Sequence, residues 1–179
     1  MNLISLDLEM NQPSNTIIQV GVVVGNISNG VVYEKHCFYT DTKEQISQYI
    51  TTLTKVTNDD LKTHGQSLTS IYSEIKRLHE YYLCFRNPLT WGGGDSILLR
   101  KQLNETGEHI DWTLGDRWID AKTVYQSYCF ANDMKPQSGL AKSMTKLGLK
   151  FQGAKHNAMD DAYNTFSIYY TLLKRMERK

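Results

Sequence analysis

Three stretches rich in apolar and β-branched residues open the chain, and each has the length of a β-strand. They cover Leu3–Leu8, Ile17–Val24 and Val31–Phe38. The segment GNISNG between the second and third is typical of a hairpin turn. The second stretch is apolar almost throughout, as in a central strand that is covered on both faces. These patterns predict three antiparallel strands.

The rest of the chain shows mainly helical spacing, interrupted by two short strand-like segments. The strand-like segments are LTW, which follows Pro88, and the pair Trp118-Ile119. Apolar residues three and four positions apart predict helices from about Ser67, from Asp95, through Val124, across Leu140–Leu147 and from about Asn157 to Lys174. Residues 39–66 form a polar stretch with no assigned element. This order predicts an α/β fold with a mixed five-stranded sheet, in which crossover strands follow three antiparallel ones.

Composition limits the class of protein. The chain has 179 residues, of which 40% are hydrophobic and 22% charged, so we expect one folded domain over residues 1–179. Its three cysteines are far apart and form no Cys-x-x-Cys pair, which indicates a reducing, cytoplasmic setting. The opening segment MNLISLDLEM lacks the basic region of a signal peptide, and no apolar run reaches the ~20 residues of a membrane span, so we expect no membrane partner.

Two acids in the first predicted strand are unusual. Asp7 and Glu9 are two positions apart, so their side chains point to the same face of the sheet. An edge strand with one solvated face would explain them. The neighbouring Leu6 and Leu8 instead favour a central strand, whose acids would lie at the rim of the sheet where ligands bind.

The last predicted helix separates two adjacent acids. At 3.6 residues per turn, Asp160 lies with Asn157 and Asn164 on a polar stripe that we expect to face solvent. Asp161 lies on the largely apolar face beside Ala162. Burying an unpaired carboxylate costs several kcal/mol, so Asp161 requires a cation, either an Arg or Lys side chain or a metal ion.

A third segment and a histidine complete the set of candidates. Asp95 follows three glycines and could either cap its helix or face a cleft. His156 precedes Asp161 by five residues. Four acids from three segments suit two divalent metal ions, and hard oxygen ligands favour Mg²⁺ or Mn²⁺. A histidine with an ordinary pKa of ~6.5 suits the role of a general base.

The chain resembles the DEDDh, or DnaQ-like, 3′→5′ exonucleases, which have an RNase H-like fold. The family's Asp-x-Glu motif is matched by Asp7-Leu8-Glu9, its Asp after a Trp-Gly strand end by WGGGD with Asp95, and its His-x-Ala-x-x-Asp-Ala by HNAMDDA with His156 and Asp161. Finer features are similar to the enhanced-RNAi-type exoribonuclease branch, namely IIQVG, LTKVTNDDL and the segment from GLAKS to DAYNT.

The resemblance implies a metal-dependent 3′→5′ exonuclease that acts on single-stranded RNA or DNA 3′ ends and releases nucleoside 5′-monophosphates, with RNA slightly favoured. It implies that Asp7 bridges two Mg²⁺ or Mn²⁺ ions, that Glu9, Asp95 and Asp161 complete the ligand set, and that His156 is the base. The alternatives are a DNA-directed proofreading or repair exonuclease of this fold and a catalytically silent nucleic-acid-binding module.

Substrate contacts follow from the same resemblance. It places Met10 and Asn11 at the terminal nucleotide, Leu53 as a wedge near the last base, and Trp91 among the substrate-binding residues. The sequence departs from the family at three positions, where Asn11, Lys55 and Gly94 replace a usual Thr, Gly and aromatic residue.

The net charge of 20 − 19 = +1 by itself disfavours a nucleic-acid partner, but two bound divalent ions would raise it to +5. The most basic stretch comprises Lys174, Arg175, Arg178 and Lys179, and we interpret it as a solvated helix end that the helix dipole favours.

Overall fold

A six-stranded mixed sheet forms the centre of the computed structural model, which describes residues 1–177, so Arg178 and Lys179 lie outside the described residues. Its strands are β1 (Asn2–Met10), β2 (Ile17–Asn26), β3 (Val32–Thr40), β4 (Gly65–Gln66), β5 (Leu89–Thr90) and β6 (Ile119–Asp120). They lie in the order β4-β3-β2-β1-β5-β6. β1 to β3 are antiparallel, whereas β5 is parallel to β1 and β6 to β5. The predicted fold class is confirmed. The sixth strand is β4, whose two residues are too few to show an alternating pattern.

Within residues 1–177, seven helices surround the sheet. They are α1 (Gln48–Thr54), α2 (Asn58–His64), α3 (Leu68–Tyr81), α4 (Asp95–Glu105), α5 (Ala121–Phe130), α6 (Leu140–Lys146) and α7 (Ala158–Glu177). The last five confirm the predicted helices. Among the helices within residues 1–177, none is long and apolar enough to cross a membrane.

The polar stretch before α3 contains two helices that the spacing of apolar residues did not reveal. Each has seven residues, so local caps rather than an apolar stripe define it. Ser47 caps α1, and Thr57 forms a reciprocal capping box with Asp60 at the start of α2. Lys55 ends α1 in the left-handed conformation, with φ 66°, where glycine would carry no steric penalty.

The helices cover both faces of the sheet, which makes a three-layer α/β fold. On one face, alternate residues of β1 and β2 such as Leu6 and Val22 pack against α3 and α4 through Ile75 and Leu99. On the other face, Leu3, Val23 and Leu89 pack against Ala121 of α5 and against Ala162 and Phe166 of α7. β2 is buried over nine of its ten residues, as its apolar sequence predicts.

The start of α7 lies directly against the middle of β2. A side chain at Gly21 would place its Cβ 2.0 Å from the backbone carbon and oxygen of Ala158, so the approach requires glycine. The buried Gln19 Oε1 accepts a hydrogen bond from the backbone N–H of Ala158 at 2.8 Å. Because Gly21 is the register partner of Asp7, this contact brings α7 next to the acidic end of β1.

Candidate active site

Asp7 and Glu9 lie near the carboxyl end of β1 and share the face that α7 covers. The intervening Leu8 is buried among the α3 and α4 contacts on the opposite face, whereas both acids are partly buried. Register pairing across the whole of β1 makes it a central strand between β2 and β5. The solvated edge-strand explanation for the two acids is therefore wrong.

The first turn of α7 brings Asp161 and His156 to the same place. Asn157 Oδ1 accepts a hydrogen bond from the backbone N–H of Asp160 at 3.2 Å, which fixes the start of the helix. The backbone N–H of His156 donates to Asp161 Oδ2 at 3.0 Å, and His156 takes a left-handed conformation with φ 61°. One potential ligand atom from each of Glu9, His156 and Asp161 lies within 4.8 Å of the others.

Asp95 is the first residue of α4 rather than its cap. The capping position is Gly94, and no side chain makes a capping hydrogen bond there. The carboxylate of Asp95 therefore does not cap the helix, which was one of its two predicted roles. Asp95 lies close enough to Asp7 to repel its carboxylate. Asp120 repels the carboxylate of Asp95 in the same way.

Burial raises the pKa of all four acids, and repulsion from neighbouring carboxylates raises it further. Burial is the main cause in each case and moves the pKa of Asp7 well above its usual value, with further increases from Asp95, Asp161 and Glu9. The pKa of Glu9 rises to about 7, through burial and then through Asp161 and Asp95. The pKa of Asp95 also rises to about 7, through burial and Asp120.

Asp161 differs because it has a hydrogen-bond donor. Burial raises its pKa to about 6, and the backbone N–H of His156 opposes that rise. Within residues 1–177, no Lys or Arg side chain forms an ion pair with Asp161 or with the other three acids. The two cations considered for Asp161 were an Arg or Lys side chain and a metal ion, and the described residues supply no such ion-paired side chain.

A cleft of about 410 Å³ opens onto this group and includes Asp7, Asp161 and His156 in its wall. Trp91 forms another part of the wall and packs at a tilted angle against Tyr125, with 5.9 Å between ring centroids. Three lysines also line the cleft, Lys122, Lys142 and Lys155. The arrangement therefore combines a dense group of oxygen ligands with nearby positive charge, which suits an anionic ligand that binds through metal ions.

The remaining predicted substrate residues are not among those that line this cleft. Met10 is partly exposed at the end of β1. Asn11 is 1% exposed, and its amide donates to the Gln45 carbonyl at 3.0 Å and accepts from the Ser47 N–H at 3.1 Å. Leu53 is half-buried on α1. Asn11 thus connects the end of β1 to the segment that begins the helix carrying Leu53.

The polar stripe predicted on α7 does not face solvent. Asp160 is half-buried, and its Oδ2 accepts a hydrogen bond from the Ala154 N–H at 2.8 Å. Asn164 is fully buried and exchanges two hydrogen bonds with the backbone of Gln152, at 3.0 and 2.7 Å. The expectation of solvent exposure was wrong because the loop before α7 folds back over this stripe and uses its polar groups.

Three residues that position the site escaped the sequence interpretation. Gln19 and Gly21 seat α7 on β2, as described above. Asp120 accepts from the Gly92 N–H at 3.0 Å as well as from Lys122 and Thr123 at the start of α5. The sequence could have predicted the capping role of Asp120, because an acid directly before a helix is a typical cap.

Comparisons with solved structures find the same architecture in nucleases. The nuclease domain of 3'hExo, a DEDDh family member bound to rAMP, superposes with a TM-score of 0.83 at 20% identity, over 97% of this chain and 92% of that one. The fold is that of the RNase H-like exonucleases. Cell-death related nuclease 4 gives 0.84 at 15% identity, over 97% and 64% of the two chains. E. coli Exonuclease I in complex with a dA16 oligonucleotide gives 0.72 at 16% identity, over 99% and 42%. No family model and no curated protein matches the sequence.

Proposed function

We propose that this chain is a metal-dependent 3′→5′ exonuclease of the DEDDh type, with residues 1–179 as one catalytic domain. It hydrolyses the terminal phosphodiester bond of single-stranded nucleic acid, favours RNA slightly over DNA, and releases nucleoside 5′-monophosphates in the cytoplasm. The finer similarity in sequence to the enhanced-RNAi-type branch supports the preference for RNA.

One observation carries the proposal: four carboxylates from three distant segments lie close together beside one cleft, with a histidine next to two of them. Asp7 and Glu9 come from β1, Asp95 from α4 and Asp161 from α7. Burial raises the pKa of all four, and neighbouring carboxylates raise the pKa of Asp7 and Glu9 further, which supports a site built to gather negative charge. A fold tolerates such a concentration of charge when the site has a function that requires it.

The chemistry of this donor set fits divalent metal ions. All four acids offer hard oxygen ligands, which Mg²⁺ and Mn²⁺ prefer, and among the described side chains no Lys or Arg competes for them. Asp7, Glu9, Asp95 and Asp161 would hold the ions. When bound, the ions supply positive charge that activates a water molecule and stabilises the leaving oxygen.

The side chain of His156 performs the proton step. It lies next to Glu9 and Asp161 at the mouth of the cleft and is exposed, so its neutral ring can accept a proton from the attacking water and pass it to solvent. The backbone of the same residue orients Asp161 through its hydrogen bond to Oδ2. Trp91 provides an aromatic wall against which the terminal nucleotide can pack.

Known structures of this fold supply the substrate class. 3'hExo was crystallised with rAMP, a further structure describes 3'-end recognition of a histone mRNA stem-loop by a 3'-exonuclease, and Exonuclease I was crystallised with single-stranded dA16. By analogy, Met10, Asn11 and Leu53 contact the terminal nucleotide of this chain's substrate. Asn11 contributes through its hold on the segment before α1, because its side-chain amide and its backbone N–H and C=O are already hydrogen-bonded.

The test is degradation of matched RNA and DNA oligonucleotides with Mg²⁺, each with a free or a blocked 3′ end. We expect nucleoside 5′-monophosphates from the free ends, none from the blocked ends and a modestly faster reaction on RNA. Equal degradation of blocked and free strands would contradict the proposed direction. Binding without any product would support a silent binding module, and faster reaction on DNA would support the proofreading or repair type.

A further inference from the structure

A second depression of about 830 Å³ adjoins the cleft on the side of α6. Four lysines, Lys142, Lys146, Lys150 and Lys155, lie along it, and Leu149 and Phe151 form an apolar part of its wall. We call these six residues the lysine groove. All four lysines are exposed, whereas Leu149 and Phe151 are partly buried and pack against the core beneath α6.

The lysine groove is continuous with the candidate active site. Lys142, Lys155 and Phe151 line both the groove and the cleft that contains Asp7, His156 and Asp161. Lys146 and Lys150 line the groove alone. A chain molecule whose end reached the acids could therefore continue along α6 without leaving the surface.

Acids in its own wall do not compensate the charge of the lysine groove, and Lys155, where the groove meets the cleft, is the groove lysine that attracts Asp161. No acid lines it, and the lysines that form ion pairs within residues 1–177 are Lys76, Lys101 and Lys174, all outside it. Lys142 and Lys146 are one helical turn apart, a spacing at which like charges destabilise a helix. Elsewhere on the surface, lysines lie among acids, as in the depression where Lys43 and Lys62 lie beside Asp41, Glu44 and Asp59.

The backbone holds the lysine groove in shape. Gly148 reverses the chain after α6 with φ 73°, and the Leu149 N–H then donates to the Met144 carbonyl at 2.9 Å. Arg175 of α7 donates to the Leu147 carbonyl at 2.7 Å. These contacts bring the segment that carries Lys150 back alongside the helix that carries Lys142 and Lys146, so the lysines do not depend on a free loop for their position.

We propose that the lysine groove binds the sugar–phosphate backbone of the single strand upstream of the nucleotide being removed. The phosphates lie opposite the four lysines, and Leu149 and Phe151 contact sugars or bases. This inference rests on the proposed exonuclease function and adds to it the path of the strand, so that the enzyme favours substrates longer than the few nucleotides that the cleft itself can hold.

The test uses the charge-removing double variant Lys146→Gln/Lys150→Gln, because these residues line the groove and not the cleft. The matched control is Lys43→Gln/Lys62→Gln, which removes the same charge from the mixed-charge depression. Each protein is assayed with Mg²⁺ on a dinucleotide and on a single strand of about 12 nucleotides, across a series of KCl concentrations, and binding of the longer strand is followed separately by fluorescence anisotropy.

We expect the substitutions in the groove variant to lower kcat/KM for the longer strand about ten-fold at low salt. The ratio of kcat/KM for the longer strand to kcat/KM for the dinucleotide should fall by the same factor. The slope of log Kd against log[KCl] should become shallower by about 1.4, since each phosphate contact on a single strand contributes about 0.7. The control variant should give the same kcat/KM ratio as wild type. Its salt slope should differ from that of wild type only by the general effect of removing two positive charges from the protein.

Three results would overturn the inference. The groove variant could behave as the control does, or it could lose the same factor on the dinucleotide, which would indicate a general defect. Alternatively, a labelled polyglutamate peptide could bind wild type as tightly as the oligonucleotide does, which would assign the groove to an acidic protein. Absence of turnover by wild type would contradict the proposed function, and the anisotropy arm would still decide whether the groove binds the strand.

Discussion

Two junctions bring acids close to Asp7 in opposite ways. At the start of α7, Asp161 is placed by tight packing, since Ala158 lies against Gly21 and hydrogen-bonds to the buried Gln19. At the start of α4, Asp95 follows Gly92-Gly93-Gly94, and a Cβ added at any of these glycines would meet nothing within 4 Å. We call them the packed junction and the open junction.

The difference shows which part of the site the core determines. The packed junction inherits its position from β2, so it cannot move without disturbing the central strand. The open junction is anchored mainly through the Gly92 N–H, which donates to Asp120 Oδ1, and through Leu99 and Leu103 of α4 in the core. Glycine at the open junction leaves space beside Asp95, whereas glycine at β2 removes space that α7 then occupies.

The largest expected effect is loss of turnover when either junction loses its acid. Asp161→Asn and Asp95→Asn should each lower kcat by at least about 10³-fold, since removing one member of a group that acts as a unit disables the rest. Both variants should remain folded, because each removes a repelling charge. Steady-state kinetics with Mg²⁺ and thermal melting without metal provide the two measurements.

The neighbouring Asp160→Asn is the matched control for Asp161→Asn. An asparagine oxygen can still accept from the Ala154 N–H, so activity should stay within a few-fold of wild type. If Asp160→Asn were as inactive as Asp161→Asn, the assignment of roles in the first turn of α7 would be wrong. A large fall in melting temperature for Asp161→Asn would instead assign that carboxylate a structural role at the packed junction.

The next effect concerns His156, which belongs to the packed junction and has no counterpart at the open one. His156→Ala should lower kcat by about 10²–10⁴-fold, the usual contribution of general acid–base catalysis. Part of the rate should return at high pH, where hydroxide needs no base, while calorimetry should show nearly unchanged Mg²⁺ affinity. Loss of metal binding with an unchanged pH profile would make His156 a ligand.

A smaller expected effect is a difference between the two junctions in how much a Gly→Ala substitution changes the free energy of unfolding. Gly21→Ala should destabilise the fold by about 1–3 kcal/mol, as overpacking does, because its Cβ would collide with the backbone of Ala158. Gly94→Ala should change stability by at most about 1 kcal/mol and in the stabilising direction, since φ −91° and ψ −28° suit alanine. Urea unfolding of both variants makes the measurement, and equal losses would show that the two junctions are equally packed.

The residues of the candidate site could be predicted from the sequence more completely than the contacts around them. Hydrophobic spacing was enough for the long strands and for α3 to α7, and it placed Asp161 on the inner face of α7. It failed for α1 and α2, because two helical turns offer too few apolar positions, and for Asn164, because the partner of a buried amide was a loop backbone. Gly21 was visible only as a residue of a buried strand, since its role depends on an element 137 positions later, at Ala158.

The smallest expected effect is a pH dependence of stability, which compares the two junctions through the single carboxyl groups of Asp95 and Asp161. In the metal-free protein burial raises the pKa of Asp95 to about 7 and that of Asp161 to about 6, and at Asp161 the hydrogen bond from the His156 N–H opposes the rise. An acid whose pKa is higher in the folded than in the unfolded state stabilises the fold while it is protonated. That stability is fully present below the unfolded pKa of about 4 and is lost as pH rises through the folded pKa.

Metal-free melting temperature should therefore fall by several degrees between about pH 4 and pH 7, with the contribution of Asp161 ending at a lower pH than that of Asp95. Asp95→Asn should flatten the upper part of this fall, and Asp161→Asn its middle part. Saturating Mg²⁺ should reverse the trend, because metal ions bind the ionised carboxylates. A metal-free stability that rises with pH through this range would mean that side-chain cations already neutralise the acids, and it would contradict the electrostatics assigned to both junctions.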